Sequence, residues 1–211
     1  MNLLVFGSGG SEGIPVPFCN CRLCKSGERR RRAGYVIETS GINLWLEASP
    51  DLREQLIDYG KLIDYLYISH IHYDHTGGLN DLRQALVVGC ANGYENKKLK
   101  LLIPFHLHEE FISNKCKNIR ESVYHSFQNL LSCESVEVIS IKPMTWIRLN
   151  EKVKVVIADT AHSNTLSSSI LVKDGKKSLL YLADADMLDE NLHRITEHVK
   201  NIDIVLAHTP F

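Results

Sequence analysis

Apolar and polar positions fall in short blocks along this chain rather than in long helical stripes. Asn2 to Phe6 is an apolar run stopped by Gly7, Ser8, Gly9 and Gly10, which predicts a buried strand entering a turn. Tyr35 to Glu38 and Ile42 to Glu47 flank Ser40-Gly41, a hairpin signal. Ser49-Pro50 reads as an N-cap with proline at the first helical position, opening a helix to about Tyr59. Asp64 to Ser69 is the next strand, Leu79 to Val88 a helix, and Leu99 to Ile103 a strand ended by Pro104. Residues 106 to 131 read as mostly helical. Five short β segments follow, at 136–141, 145–149, 153–158, 168–173 and 178–183, with Asp174-Gly175 as a hairpin turn between the last two. Met187 to Lys200 reads as a helix and Ile202 to Ala207 as a final strand. Strands with helices between them predict an α/β or α+β fold with mixed sheets.

Residues 11 to 33 break this rhythm. They have no periodicity and hold Gly13, Pro15, Pro17, three cysteines and the run Arg29 to Arg32. Long loops in compact domains usually carry function. The arginine run is expected to be a solvated stretch, or else to attract a phosphate-bearing substrate.

At 211 residues the chain is expected to form one domain, residues 1–211, large enough to fold without disulfides. No apolar run reaches the roughly 18 residues of a membrane span. The N-terminus lacks the basic flank of a secretory signal, so a cytoplasmic, membrane-free protein is expected. A net charge of −1 gives no global drive toward nucleic acid.

The chemistry lies in His70-Ile71-His72-Tyr73-Asp74-His75. On extended backbone the first two histidines point the same way. Asp74 and His75 follow a turn and can face a second ion. Imidazole and carboxylate suit zinc, manganese or iron(II), and two ions roughly 3.5–4 Å apart clamp a phosphate. A second cluster, Cys19, Cys21 and Cys24, has thiolate spacing suited to one structural tetrahedral zinc, still needing a fourth ligand. Cys90, Cys116 and Cys133 are scattered and expected to be reduced and partly buried. His106 and His108 are expected to be solvent-exposed. Gly7 to Gly13 is not a nucleotide fingerprint, because Glu12 breaks the glycine pattern.

This histidine motif after a strand, followed by Thr76-Gly77-Gly78 and a helix, resembles the metallo-β-lactamase-fold hydrolases. Residues 7–15 are similar to the opening turn of their phosphodiesterase branch. The cysteine segment resembles the cyclic phosphodiesterase of the carbon–phosphorus lyase pathway and the pyrroloquinoline-quinone biosynthesis B proteins, and Ala48 to Arg53 looks like the latter. The resemblance implies an αββα sandwich with a dinuclear site on one edge and a metal-activated water. It implies His70, His72 and His162 on one ion, Asp74 and His75 on the other, and Asp184 between them, with Asp74 also catalytic. Glu47 stands where the family has a supporting aspartate, and Asp186 is the better candidate for capping the next helix.

His208, in Ile204 to Phe211, is locally similar to the family's last ligand but stands early in the family order. Either His208 closes the second metal site of a shortened enzyme, or the chain is C-terminally incomplete. In the latter case the second ion and the cysteine site are both under-ligated. The implied activity is hydrolysis of small phosphodiesters, cyclic phosphates or nucleotides first, in a chain that could be a homodimer. The rival readings are a cofactor-biosynthesis protein of the quinone B type and a tRNA 3′-processing endonuclease, which would need an RNA-gripping arm.

Overall fold

The computed structural model describes residues 1–87, 94, 97–112, 121–185, 190–197 and 201–207. Cys90, Cys116, Asp186 and His208 lie outside the described residues, and so do the expectations for them.

Among the described residues, eleven strands form two sheets. The first has the order β1 (Asn2–Gly7), β2 (Gly34–Thr39), β3 (Ile42–Leu46), β4 (Tyr65–Tyr67), β5 (Leu99–Pro104) and β6 (Val136–Ile141). Its first three strands are antiparallel neighbours and the last four run parallel. The second sheet comprises β7 (Ile147–Arg148), β8 (Val153–His162), β9 (Thr165–Asp174), β10 (Lys177–Leu182) and β11 (Ile204–Ala207), in the order β11-β10-β9-β8-β7. All its pairings are antiparallel except β10 with β11.

Alternation places one face of each sheet in a shared core. Ile37, Leu44, Leu46 and Tyr67 meet Val155, Ile157, Val172 and Tyr181 between the sheets. The opposite face of the first sheet, with Trp45, Leu66 and Leu101, is covered by α2 (Leu52–Tyr59), α4 (Leu79–Val87), α5 (Phe105–Ile112) and α6 (Glu121–Leu131). Val156, Ala158 and Leu171 on the outer face of the second sheet pack with Ile195 of α7 (Glu190–Glu197). The layers are therefore helix, sheet, sheet, helix, as expected.

Several boundaries move. The helix expected from Ser49-Pro50 begins at Leu52, flanked by Asp51. The Asp51 carboxylate does not cap it, because it accepts from the Arg32 backbone N–H and pairs with the Arg32 guanidinium. The loop at 11–33 contains α1 (Arg22–Lys25), where the Cys21 sulfur accepts from the Cys24 N–H. Strands β8 and β9 are longer than expected, because their hairpin continues to the pair His162 and Thr165. His162 thus ends a strand rather than following one.

Parallel β3, β4 and β5 all point their C-terminal ends to one edge. That edge carries Glu47, the histidine segment and the start of α5. The α3 turn (Tyr73–Thr76) is held there by backbone bonds: the Ala48 N–H donates to the His75 carbonyl, and the Gly78 N–H to the Ala48 carbonyl.

Candidate metal centre

Tyr67 ends β4, and the chain then delivers His70 and His72 on extended backbone before turning into α3. His162 arrives from the end of β8 and Asp184 from just beyond β10. The structure brings all six expected active-site residues on described backbone into one cluster. His70 Nε2 and His162 Nε2 each lie 3.1 Å from His72 Nδ1. Three nitrogens of a tetrahedral zinc site, at about 2.0–2.1 Å from the ion, would be ~3.3 Å apart. Ligand atoms of His70, His72 and His162 fall within 4.8 Å of one another, and so do those of His70, His75 and Asp184. Asp184 Oδ2 of the second group also approaches the first, 3.4 Å from His162 Nε2 and 3.7 Å from His75 Nε2. Asp74 Oδ2 is 3.4 Å from His75 Nε2.

His75 and Glu47 are fully buried, and Glu47 Oε2 sits 3.3 Å from His75 Nδ1. Burial opposes charge on His75, but Glu47, Asp184 and Asp74 outweigh it and raise its pKa well above the ordinary imidazole value. Burial pushes Asp74 up, yet its contact with His75 holds the carboxyl below its usual range. Three carboxylates thus crowd one imidazole where solvent is scarce. Buried charge of one sign calls for a counter-ion, and a divalent cation fits this donor set. Burial, with nearby imidazoles, lowers His70 strongly and His72 to a lesser degree. Both are thereby held neutral, the form that ligates metal.

Glu47 meets its expected supporting position in an unexpected conformation. Its φ is +69°, left-handed backbone that a non-glycine residue adopts at a cost. Its N–H donates to the Tyr67 carbonyl, and its carboxylate accepts from the Ser69 N–H. Around it, burial pushes the Tyr35 hydroxyl up to about 12, with Glu47 adding to the effect.

Sequence reasoning missed the serines behind His70. Ser69 Oγ lies 2.9 Å and Ser167 Oγ 3.5 Å from His70 Nδ1, which leaves Nε2 facing the cluster. Ser167, Ser168 and Ser169 are wholly buried in β9, and a serine triplet inside an apolar strand was the available signal. The expectation for His106 is corrected. It is mostly buried, with Nδ1 3.3 Å from Asp159 Oδ2, because β8 brings Asp159 to the start of α5. His108 is also partly buried.

Cys19, Cys21 and Cys24 have their sulfurs within 4.8 Å of one another in the exposed loop, and the group has three members among the described residues. The Cys24 backbone N–H, followed by the Cys19 and Cys24 thiols, lowers the Cys21 thiol to about 7. The arginine run is largely neutralised: Arg30 pairs with Glu28, Arg31 with Asp58 and Arg32 with Asp51. Among the described residues, no helix is long and apolar enough to cross a membrane.

A family model described as anti-Pycsar protein Apyc1 matches residues 31–210. Among curated proteins, the chain is 26% identical over 171 residues to the anti-Pycsar protein Apyc1 of Bacillus phage BSP38, covering 76% of this chain and 64% of that protein. It is 38% identical over 88 residues to an octanoyltransferase of Porphyromonas gingivalis, covering 39% of this chain but 18% of that protein. The chain therefore spans less than two thirds of these relatives. Among solved structures, a diphosphatase of the PhnP family is 25% identical with a TM-score of 0.72, covering 96% of this chain and 71% of that one. Zinc-bound PqqB from Methylobacterium extorquens has 18% identity and a TM-score of 0.72, covering 98% and 72%. The metallo-β-lactamase fold protein YhfI from Bacillus subtilis has 18% identity and a TM-score of 0.65, covering 96% and 68%. The fold is that of the metallo-β-lactamase proteins, as the histidine motif implied.

Proposed function

Because the chain belongs to the anti-Pycsar protein Apyc1 family, we propose that it is a metal-dependent phosphodiesterase of small cyclic phosphates, with cyclic nucleotides as the first class to try. The observation that carries this reading is the pair of adjacent donor groups on one sheet edge, with Asp184 of the second also approaching the first. His70, His72 and His162 would hold one divalent ion, zinc or manganese, and Asp74 and His75 the other. Such ions supply Lewis acidity toward a phosphoryl oxygen and a nucleophile at neutral pH. The protein's own work is positioning. Ser69 and Ser167 fix the His70 ring, and Glu47 fixes the His75 ring at Nδ1. Asp74, held ionised beside His75, is the catalytic carboxylate in this reading: it can accept a proton at the face of the site. The thiolates of Cys19, Cys21 and Cys24 would hold a structural zinc, with a fourth ligand from elsewhere. The 211 residues are read as a single domain.

The test is hydrolysis of 2′,3′- and 3′,5′-cyclic mononucleotides of all four bases, with zinc or manganese supplied. Bis(p-nitrophenyl) phosphate serves as a generic diester and a precursor tRNA as the rival substrate. Turnover of at least one cyclic nucleotide is expected, abolished by His72→Ala and by Asp74→Asn with the fold intact. A metal-loaded protein that turns over no cyclic phosphate, or that cleaves the tRNA in preference, overturns the reading.

A further inference from the structure

A cationic row lies at the opposite end of the second sheet. Strand register sets Arg148 opposite Lys154, and Lys154 opposite Lys173. Antiparallel partners share a face, with Cβ atoms about 5 Å apart. The face is the outer one, because the alternate residues Val153, Val155 and Val172 belong to the core between the sheets. Three basic side chains therefore stand abreast across three strands. Like charges directly opposite one another repel. Even so, none of the three, nor the adjoining Lys152, forms an ion pair among the described residues.

The same four bases line a cavity of about 260 Å³ with Glu151, Val153 and Gly175. Four cations and one carboxylate line this concave space, and Asp174, whose carboxylate is bonded to Thr39 and Ser40 and feels the Lys152 charge, stands beside it, so a positive excess remains. Lys154 is also held in place, its Nζ 4.1 Å above the centre of the Trp146 ring. Neighbouring strands are about 4.8 Å apart, so the row spans about 10 Å of backbone from Arg148 to Lys173. That suits a short linear chain of phosphates better than a single phosphate.

We propose that the Arg148, Lys154 and Lys173 row is a binding site for a triphosphate group, separate from the metal centre. Lys154 stands eight residues before His162 on the same strand, about 27 Å away at strand rise. A ligand seated here cannot be a substrate held at the metals at the same time. The ligand could be inorganic tripolyphosphate or the triphosphate of a nucleotide.

Trp146 makes the test direct, since the other tryptophan, Trp45, is fully buried. Tripolyphosphate, a nucleoside triphosphate and orthophosphate are titrated into the metal-loaded full-length protein while tryptophan emission is followed. Tripolyphosphate should give a saturable change that weakens as salt is raised, with orthophosphate at least tenfold weaker. The double variant Lys154→Ala/Lys173→Ala should lose at least tenfold in affinity, while Lys154→Arg/Lys173→Arg retains it. Equal affinity for tripolyphosphate and the nucleotide assigns recognition to the phosphates alone. Tighter binding of the nucleotide, still lost in the alanine variant, adds a base contact to the same site. No saturable change, equal affinity for orthophosphate, or a response that survives in the folded alanine variant would overturn the proposal, the last by locating the anion elsewhere, the metal centre included.

Discussion

Replacing Glu47 with Gln keeps its size and leaves an amide oxygen to accept from the Ser69 N–H, while removing the charge beside His75. The distance to His75 Nδ1 is 3.3 Å, with both side chains fully buried. Two unit charges at that separation interact by about 5 kcal/mol at an effective dielectric of about 20. An imidazole whose other nitrogen faces an ion carries only part of a charge at Nδ1–H, so the effect on metal affinity is smaller. Complete loss of an outer hydrogen-bond partner of a ligating histidine costs about 10–100-fold in affinity, or about 1.4–2.8 kcal/mol; here one oxygen serves both Ser69 and His75, so the amide keeps the bond without its charge and the cost should fall at about tenfold. If the proposed ligand sets hold, the loss should fall on the ion held by Asp74 and His75. The ion at His70, His72 and His162 should be nearly unaffected, since Ser69 and Ser167 support that group independently. Competition with a chromophoric chelator, fitted to two sites, measures both affinities, and circular dichroism checks the fold. Wild-type affinity at both sites in Glu47→Gln would refute the reasoning, and an equal loss at both would show that Glu47 acts on the whole edge rather than on His75.

Gly78→Ala should destabilise the fold by about 1–3 kcal/mol in urea unfolding, since a Cβ there would lie 2.3 Å from the Ser49 carbonyl oxygen and 2.5 Å from Leu52 Cβ; an unchanged midpoint would mean α4 shifts freely. Phe127→Ala should cost about 3–5 kcal/mol, because the ring is wholly buried with its centroid 4.1 Å from that of Phe111; a loss below 1 kcal/mol would place α6 outside the cooperative core. In chelator-treated protein, Cys21 should be about half thiolate near pH 7, more above and less below. Mass spectrometry after brief iodoacetamide treatment at pH 7 should therefore find it alkylated before Cys133, and zinc should protect it. Labelling of Cys133 first, or no protection by zinc, would count against the thiolate cluster.

The candidate site was legible because its four neighbouring residues, His70, His72, Asp74 and His75, are of ligand type and follow an apolar strand, so local geometry alone turns them to one place. His162 and Asp184 were reached only through family resemblance, since nothing in their own neighbourhoods says that β8 and β10 end at the same edge as β4. The fold class followed from alternating apolar blocks, but boundaries set by tertiary contacts did not. Ser49-Pro50 read as the helix start, yet the helix begins at Leu52, and Asp51 before it gives its carboxylate to Arg32, nineteen positions earlier. His106 read as exposed because its partner, Asp159, lies on a strand of the other sheet. The left-handed Glu47 could not be foreseen either, since it exists only because Tyr67, Ser69 and His75 surround it.

The placement of Asp184 and His162 on one sheet and of the histidine segment on the other has a kinetic consequence. The first sheet assembles its β3-α2-β4 unit from contacts close in sequence, whereas the donor groups close only when the second sheet docks. Contacts of such long sequence separation form slowly, because chain entropy is lost before they are made. An ion captured by His70 and His72 early in refolding would wait for its remaining partners. Metal uptake at the complete site thus reports the docking of the two sheets, and a folding experiment that follows uptake and secondary structure together should see secondary structure appear first.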